Sequence, residues 1–413
     1  MKQTLPYDSI RSAALALQNT SDANRDSFLT HLGAEIAHAK KRILSANAQD
    51  IRNAKSKGLP AAFIQRLVLD EKGIKLLSHK LADVRKLKSG LGEIFERRKD
   101  SRGLELMKVR VPLGVLAVIY EARPEVTIDV AALCVKSGNA AILKGGSEAL
   151  STNAALYACI ARALKKSKLP AHAVTFIKTA DRSVTNELLS RHDAVDLVIA
   201  RGGYGMVKTI MERSTIPVLA HAAGGARIYV DKSADLKKAV NIIVNAKTTK
   251  PAACNTVDTV LIHTSVAKKF VPMVVTALQE HGVDVRGDAG AAKYADIQRA
   301  TASDWSTEFL GLTISLKTVA SVHEAISFIH TYTKRHTEGI VANDERVVKM
   351  FLASLDAAAL FVNASTRFHD GFEFGLGSEM GISTGKLHAR GPVGLKELTT
   401  YKWIVKGHGN IRI

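Results

Sequence analysis

The sequence predicts a bilobed α/β protein: a helical N-terminal segment, two successive parallel sheets built from β-α-β units, and an extended arm at the end. Three observations predict it. From residue 115 onward, short apolar runs with little alternation recur between amphipathic helical stretches, the pattern of strands buried on both faces and covered by helices. The alternation closes near residue 230 and begins again. A length of 413 residues suits two to three domains.

Residues 1–90 read as helices. The stretch 21–42 opens on Ser21-Asp22, an N-cap signal, and carries Phe28, Leu32 and Ile36 at helical spacing, with Ile43 beyond. A further helix covers 71–87. Residues 103–110 (GLELMKVR) read as an extended segment and 115–120 (VLAVIY) as a buried strand. Strand-like runs follow at 140–143, 174–177, 195–200 and 227–230, with helices at 127–136, 147–165, 182–190 and 204–213 between them. The second series alternates helix 236–246, strand 257–263, helix 266–281, strand 312–316, helix 321–331, strand 339–341, helix 345–355 and strand 358–362. Residues 378–413, rich in Gly, Lys and His, are too few for a domain and read as an arm.

The composition, 46% hydrophobic and 23% charged with 9 Pro, is that of a globular protein. No apolar run reaches the roughly 18 to 20 residues that span a bilayer, and the start MKQTLPYDSIRSAALALQ lacks a signal-peptide pattern. A cytoplasmic address without membrane attachment is expected. The net charge of +19 is the odd global number. It sits in short clusters such as Lys40-Lys41-Arg42, Arg97-Arg98-Lys99 and Lys237-Lys238, without interleaved aromatics. Solvated helix faces explain these clusters, and a nucleic-acid surface is the alternative.

Three cysteines occur. Cys134 (DVAALCVKSG) and Cys159 (ALYACIARAL) lie among Ala and Leu at helical spacing, where a free Cys is a small buried hydrophobe. The spacing of the three suits neither a disulfide framework nor a zinc site, so no metal is expected. Cys254, in NAKTTKPAACNTVD (245–258), instead sits between a helix end and a strand start, after Pro251 and two alanines. Lys247 and Lys250 lie close in sequence, and nearby cations raise the thiolate fraction of a cysteine. A catalytic thiol and an inert loop thiol are both open on these facts. Two strand–Gly–helix turns, RGGYG (201–205) and LKGGSE (143–148), could present backbone N–H groups to a phosphate, and the pair points to a nucleotide more than either turn alone.

These residues resemble the γ-glutamyl phosphate reductases of the aldehyde dehydrogenase superfamily, nearly end to end. The resemblance is carried by ANAQDIRNAKSKGL (46–59), VPLGVLAVIYEARPEVTIDVA (111–131), SGNAAILKGGSEA (137–149), LVIARGGYG (197–205), NAKTTKPAACNTVDT (245–259), RHTEGIV (335–341) and the long VNASTRFHDGFEFGLGSEMGISTGKLHARGPVGLKELTTYKW (362–403). It implies two Rossmann-like lobes of the aldehyde dehydrogenase type: an NADP-binding domain of residues 1–90 and 113–228 and a catalytic domain of 229–377. An oligomerisation hairpin and C-terminal arm would take 91–112 and 378–413.

The implied activity is NADPH-dependent reduction of γ-glutamyl phosphate to glutamate 5-semialdehyde and phosphate, the second step of proline biosynthesis from glutamate. The product would cyclise to 1-pyrroline-5-carboxylate. Cys254 would form a thioester. The resemblance assigns Lys144, Gly145, Gly146, Gly202, Gly203, Gly205 and Glu308 to the cofactor, and Arg123, Asn255, Asn363, Ser365 and Arg367 to the substrate. A cation at Lys144, with no acid in the immediate segment, would suit a 2′-phosphate. The stretch LAHAAGGARIYV (219–230) holds no carboxylate where hydrolytic relatives carry their base, which fits a thioester protected from water. Departures from the family pattern are Glu125 for Asn, Ser147 for Lys, Gly225-Ala226-Arg227 for an aliphatic residue followed by Cys-His, and Lys334 for a small residue. A homodimer or homotetramer is expected, with glutamate 5-kinase as a separate partner. A reductase for another acyl phosphate and a basic binding protein with a vestigial site are the competing readings.

Overall fold

The computed structural model describes residues 3–220 and 224–412. The chain forms two compact units. One runs to Ala220 and takes in Gly375–Gly381 and the tail from Pro392; the other continues to Phe374 and takes in Ile382–Gly391.

In the first unit the helices Tyr7–Gln18, Asp22–His38, Lys40–Ser56, Ala61–Leu67 and Glu71–Lys86 come first. Ser21 caps the second, its hydroxyl accepting from the Asn24 N–H, and Asp70 caps the fifth through the Gly73 N–H. The single helix expected over 21–42 is broken at Ala39. The segment beyond the break is held by its own buried polar residues. Asn47 bonds the Leu67 carbonyl and the Leu69 N–H, and Asp50 accepts from the Thr152 N–H at 2.8 Å.

A five-stranded parallel sheet follows, in the order Val174–Phe176, Ala140–Gly145, Val115–Tyr120, Leu197–Arg201, Val218–Ala220. Its central strand is buried at every position, as its unbroken apolar run requires. The two strands Val115–Tyr120 and Leu197–Arg201 are neighbours from which the chain departs to opposite sides, the switch point of a doubly wound sheet.

The extended segment expected at 103–110 is the strand Glu105–Pro112. It is the middle of an antiparallel three-stranded sheet, between Ile94–Lys99 and Thr399–Lys406. Both of its edges are therefore paired within the chain. The outer strands are Ile94–Lys99 and Thr399–Lys406, and on the latter Tyr401, Trp403 and Val405 are exposed.

The second unit carries a seven-stranded parallel sheet in the order Gln298–Arg299, Asp284–Gly287, Thr313–Val319, Val257–His263, Ala226–Val230, Thr337–Val341, Ala359–Val362. Strand Ala226–Val230 lies inside this sheet, between Val257–His263 and Thr337–Val341, so it belongs to the second unit, whereas the sequence placed 226–228 in the first. One face packs Ile228, Val230, Val260 and Ile262 on Phe270, Val271 and Val274. The other packs Tyr229, Leu261 and Ile340 on Ala325, Ile329 and Phe351. Among the described residues no helix is long and apolar enough to cross a membrane.

Candidate active site

Helix Leu236–Thr248 ends and strand Val257–His263 begins with a short turn between them. The turn folds on itself: the Ala253 N–H and the Thr256 hydroxyl both donate to the Lys250 carbonyl, at 3.0 and 2.8 Å. Cys254 stands on this turn half-buried, whereas Cys134 and Cys159 are fully buried on helices. Burial pushes both of those thiols up, so they are structural, as expected.

The chain entering strand Ala226–Val230 closes on Cys254. The Gly225 N–H donates to the Cys254 carbonyl at 2.7 Å, from a φ of +121° that side chains rarely adopt. A Cβ on Gly224 would stand 2.5 Å from Cys254 Cβ, 2.6 Å from its Cα and 2.4 Å from Glu308 Oε1. Gly224 thus lets three segments distant in sequence meet at Cys254. Residues 221–223, part of the stretch noted for its lack of a carboxylate, lie outside the described residues.

Asn255 is buried and donates to the His369 carbonyl at 2.9 Å. Arg367 Nη1 donates to Asn255 Oδ1, while Arg367 Nε is buried and unpartnered among the described residues. Burial pulls the Arg367 guanidinium down, opposed by the charges of Asp370, Cys254 and Glu373. A guanidinium with a spare donor beside a thiol suits an anionic acyl compound. Ser365, also buried, accepts from the Arg367 N–H at 3.3 Å and caps the short turn Thr366–Phe368.

Asn363 does not join this cluster. Its amide is engaged at both ends with Ala342, accepting at 3.0 Å and donating at 2.9 Å, beyond the carboxyl end of strand Thr337–Val341. Cys254 precedes its strand, at the amino end of the same parallel sheet. Asn363, at φ +52°, shapes the loop that carries Arg367 back.

Lys247, one of the two lysines close in sequence to the thiol, is fully buried. Its Nζ donates to the Val257 carbonyl at 3.0 Å and pairs with Asp258 at 3.5 Å. Burial pulls Lys247 down and pushes Asp258 up to about 6. Asp258 also accepts from the Phe309 N–H at 3.2 Å, tying the Glu308–Phe309 segment to the strand that follows Cys254. A second buried group was not foreseen: the Thr337 hydroxyl lies 2.6 Å from His336 Nδ1 and 2.7 Å from His369 Nδ1. The adjacent HT of RHTEG and the later FHDG were the available signals.

All the cofactor candidates but Glu308 lie in the first unit, at the carboxyl ends of strands Ala140–Gly145 and Leu197–Arg201. That is where an open parallel sheet accepts a dinucleotide. Gly203 precedes helix Tyr204–Arg213, but its N–H already donates to Glu121 Oε2 at 2.7 Å. Gly202 is hemmed in by Met206 and Glu121, while Gly205 has open space about it. Lys144 is half-buried and donates to the Gly145 carbonyl at 3.0 Å. Gly145 packs against Asn153 and Tyr120, and Gly146 against Glu148. Here the expectation of an acid-free segment fails. Glu148 accepts from the Ala122 N–H at 3.0 Å and lies close enough to Lys144 to hold up an ammonium that burial pulls down. Arg123 stands half-buried on the turn before helix Glu125–Lys136, its carbonyl accepting from the Val126 N–H at 3.1 Å.

Comparison with known proteins gives a consistent picture. The pattern of the aldehyde dehydrogenase family matches residues 11–292. A gamma-glutamyl phosphate reductase of Clostridium kluyveri is 46% identical over 97% of this chain and 96% of its own length. One from Caldanaerobacter subterraneus is 44% identical over 97% of each. The crystal structure of the Thermotoga maritima gamma-glutamyl phosphate reductase superposes with a TM-score of 0.95 at 41% identity, covering 98% of this chain and 99% of that one. An acetylating aldehyde dehydrogenase from Geobacillus thermoglucosidasius, at 18% identity and a TM-score of 0.72 over 98% of this chain and 96% of that one, shares the fold.

Proposed function

The chain belongs to the aldehyde dehydrogenase family, among its γ-glutamyl phosphate reductases, and we propose that it reduces γ-glutamyl phosphate to glutamate 5-semialdehyde through a thioester on Cys254. The observation that carries the reading is the placement of Cys254 on a tight turn against Gly224, with Asn255 and Arg367 beside it.

The Cys254 thiolate attacks the acyl carbon, and the carbon–oxygen bond to phosphate breaks, releasing inorganic phosphate and leaving a thioester. Arg367 orients the anionic acyl phosphate through its spare donor. Asn255 holds Arg367, and the Asp258–Lys247 pair keeps the Cys254 strand and the Glu308 segment in register. A bound reduced nicotinamide supplies the hydride. With hydride added to the thioester carbon, the carbon–sulfur bond to Cys254 would break, releasing the thiolate and leaving the aldehyde. Digestion of the protein after exposure to the acyl phosphate alone should give the peptide holding Cys254 heavier by one glutamyl group. Turnover without that adduct would sink the thioester route.

The cofactor is a nicotinamide, and we assign it as NADP(H), with Lys144 meeting the 2′-phosphate and Gly146, Gly202, Gly203 and Gly205 near the pyrophosphate. Glu308 is assigned to the nicotinamide ribose and Arg123 to the substrate. The protein is placed in the cytoplasm, in proline biosynthesis, with glutamate 5-kinase supplying its substrate. A symmetric dimer or tetramer rests on the exposed outer strand Thr399–Lys406.

A further inference from the structure

Strand Thr337–Val341 sends successive side chains to opposite faces. Thr337 meets His369, and Glu338 goes to the face covered by helix Val322–Tyr332. Glu338 is 1% exposed. Its Oε1 accepts from the Thr333 hydroxyl at 2.6 Å and from Arg227 Nη1 at 3.3 Å. Arg227 is directed elsewhere as well, since its Nη2 donates to the Tyr332 carbonyl. Both donors to Glu338 therefore converge on one oxygen. The other, Oε2, is buried and has no partner among the described residues, an arrangement that folded proteins avoid unless a further donor arrives.

Glu338 also lines a cavity of about 350 Å³, whose wall includes Ile329, Thr333, Arg335, Leu355 and Asp356. Asp356 is not available to a visitor. Lys386 at 2.7 Å and Arg390 at 2.5 Å hold its carboxyl down at about 2. Arg335 is available. Its backbone is fixed at φ +57°, with its N–H donating to the Thr333 hydroxyl at 2.8 Å. Its guanidinium is exposed and unpaired among the described residues. The cavity lining thus includes a buried carboxylate with one unpartnered oxygen, an exposed guanidinium, and the apolar Ile329 and Leu355. A lone metal ion would leave Arg335 unanswered, and the described residues hold no cluster of metal-ligating side chains. Nothing in the lining is shared with the turn that carries Cys254.

We propose that this cavity binds a free α-amino acid, its ammonium donating to Glu338 Oε2 and its carboxylate received by Arg335. A volume of this size holds an amino acid with room for a modest side chain. Burial pushes the Glu338 carboxyl up to about 7, against the opposing charge of Arg227, which is the mark of a carboxylate short of cationic partners.

The test is isothermal titration calorimetry on the full chain with the common protein amino acids, repeated with the N-acetyl and methyl ester forms of any that bind. Binding of the zwitterion is expected, weakened about tenfold or more when either charge is masked, as loss of one charge-assisted hydrogen bond implies. Arg335→Ala, an exposed change that leaves the core intact, should weaken it equally, and so should Glu338→Gln if that variant folds. Arg367→Ala should leave it unchanged. The proposal is overturned if no amino acid binds at about 10 mM, or if Arg335→Ala binds as the wild type does. Binding abolished by Arg367→Ala but kept by Arg335→Ala would overturn it too, placing the ligand at Cys254.

Discussion

Gly224 and Cys254 are in contact so close that Gly224 could not carry one more carbon: a methyl there would lie 2.5 Å from Cys254 Cβ and 2.6 Å from its Cα. Because one of those neighbours is backbone, it cannot swing aside. The Gly225 N–H to Cys254 carbonyl bond then fixes the turn in the direction that presents the thiol. The placement of the proposed nucleophile rests here on a glycine 30 residues earlier in the chain.

Gly224→Ala should therefore act on rate more than on stability. Displacing a reacting atom by about 1 Å costs on the order of a hundredfold. We expect kcat/KM to fall by about that factor while the circular dichroism spectrum stays native. Wild-type kinetics in the variant would show that the contact relaxes harmlessly.

Cys254→Ser should abolish reduction and leave folding and cofactor binding intact, because a hydroxyl offers almost no anion at neutral pH. Cys134→Ser and Cys159→Ala should cost stability only, as both are fully buried. Steady-state assay beside nucleotide-binding titration measures the split. Retention of more than roughly a tenth of wild-type turnover by Cys254→Ser is incompatible with a thioester.

Arg367→Ala removes the spare donor beside the thiol. Each lost charge-assisted bond is worth roughly 1.5 to 3 kcal/mol, so kcat/KM for the acyl phosphate should drop about tenfold to a hundredfold. Arg367→Lys should recover little, since one ammonium cannot both serve Asn255 and reach the substrate. Equal kinetics for the three proteins would remove Arg367 from the substrate site.

Glu338 and Asp258 give the protein a pH dependence of an unusual sign. Their folded-state values, about 7 and about 6, lie above the ordinary carboxyl range of roughly 4. The folded state thus binds more protons across that window. Stability from this source is complete at the acid end and is lost as pH rises through 6 and 7. The melting temperature of wild type relative to Glu338→Gln should fall between about pH 5 and pH 8, the amide having nothing to titrate. A difference that stays flat over the range would refute the shift.

Much of this was legible in the sequence where local pattern decides structure. Strands Val115–Tyr120 and Val257–His263 and helices Arg182–Ser190 and Tyr204–Arg213 fall where periodicity puts them. Cys254 stood out because it alone among the cysteines left an apolar helical face. What stayed hidden depends on partners far along the chain. Lys247 reads only as a cation near the thiol, and its burial depends on Asp258 and the Val257 carbonyl. Strand Ala226–Val230 looks like the end of one series until its neighbours on both sides prove to belong to the next. The sequence also gives no sign that the Asn363 amide is engaged at both ends with Ala342.

The outer strand Thr399–Lys406 predicts assembly. Its free edge adjoins an exposed row of Tyr401, Trp403 and Val405, with Lys108 4.9 Å from the Trp403 ring centre. Unpaired edges of this kind are covered in folded proteins. Light scattering should report at least twice the chain mass of 44.5 kDa. Full activity from a monomer at micromolar concentration would overturn the assignment.

Cofactor choice turns on Lys144 and Glu148, which act in opposite directions. One well-placed ammonium favours a 2′-phosphate by roughly 1.5 to 3 kcal/mol, about a tenfold to hundredfold preference for NADPH over NADH. Glu148 lies close enough to Lys144 to shift its titration, and a carboxylate beside a phosphate site repels the second charge. The lysine gives the direction of the preference, and Glu148 holds it toward the low end of that range. The two side chains can be separated. Lys144→Ala should lower the ratio of kcat/KM for NADPH over NADH while leaving the NADH value nearly constant. Glu148→Gln keeps an acceptor for the Ala122 N–H but removes the charge, so the ratio should rise. If Lys144→Ala leaves the ratio unchanged, selectivity lies elsewhere. If Glu148→Gln lowers it, the carboxylate serves the phosphate side indirectly by holding the turn that Ala122 begins, and repulsion is not what limits the preference.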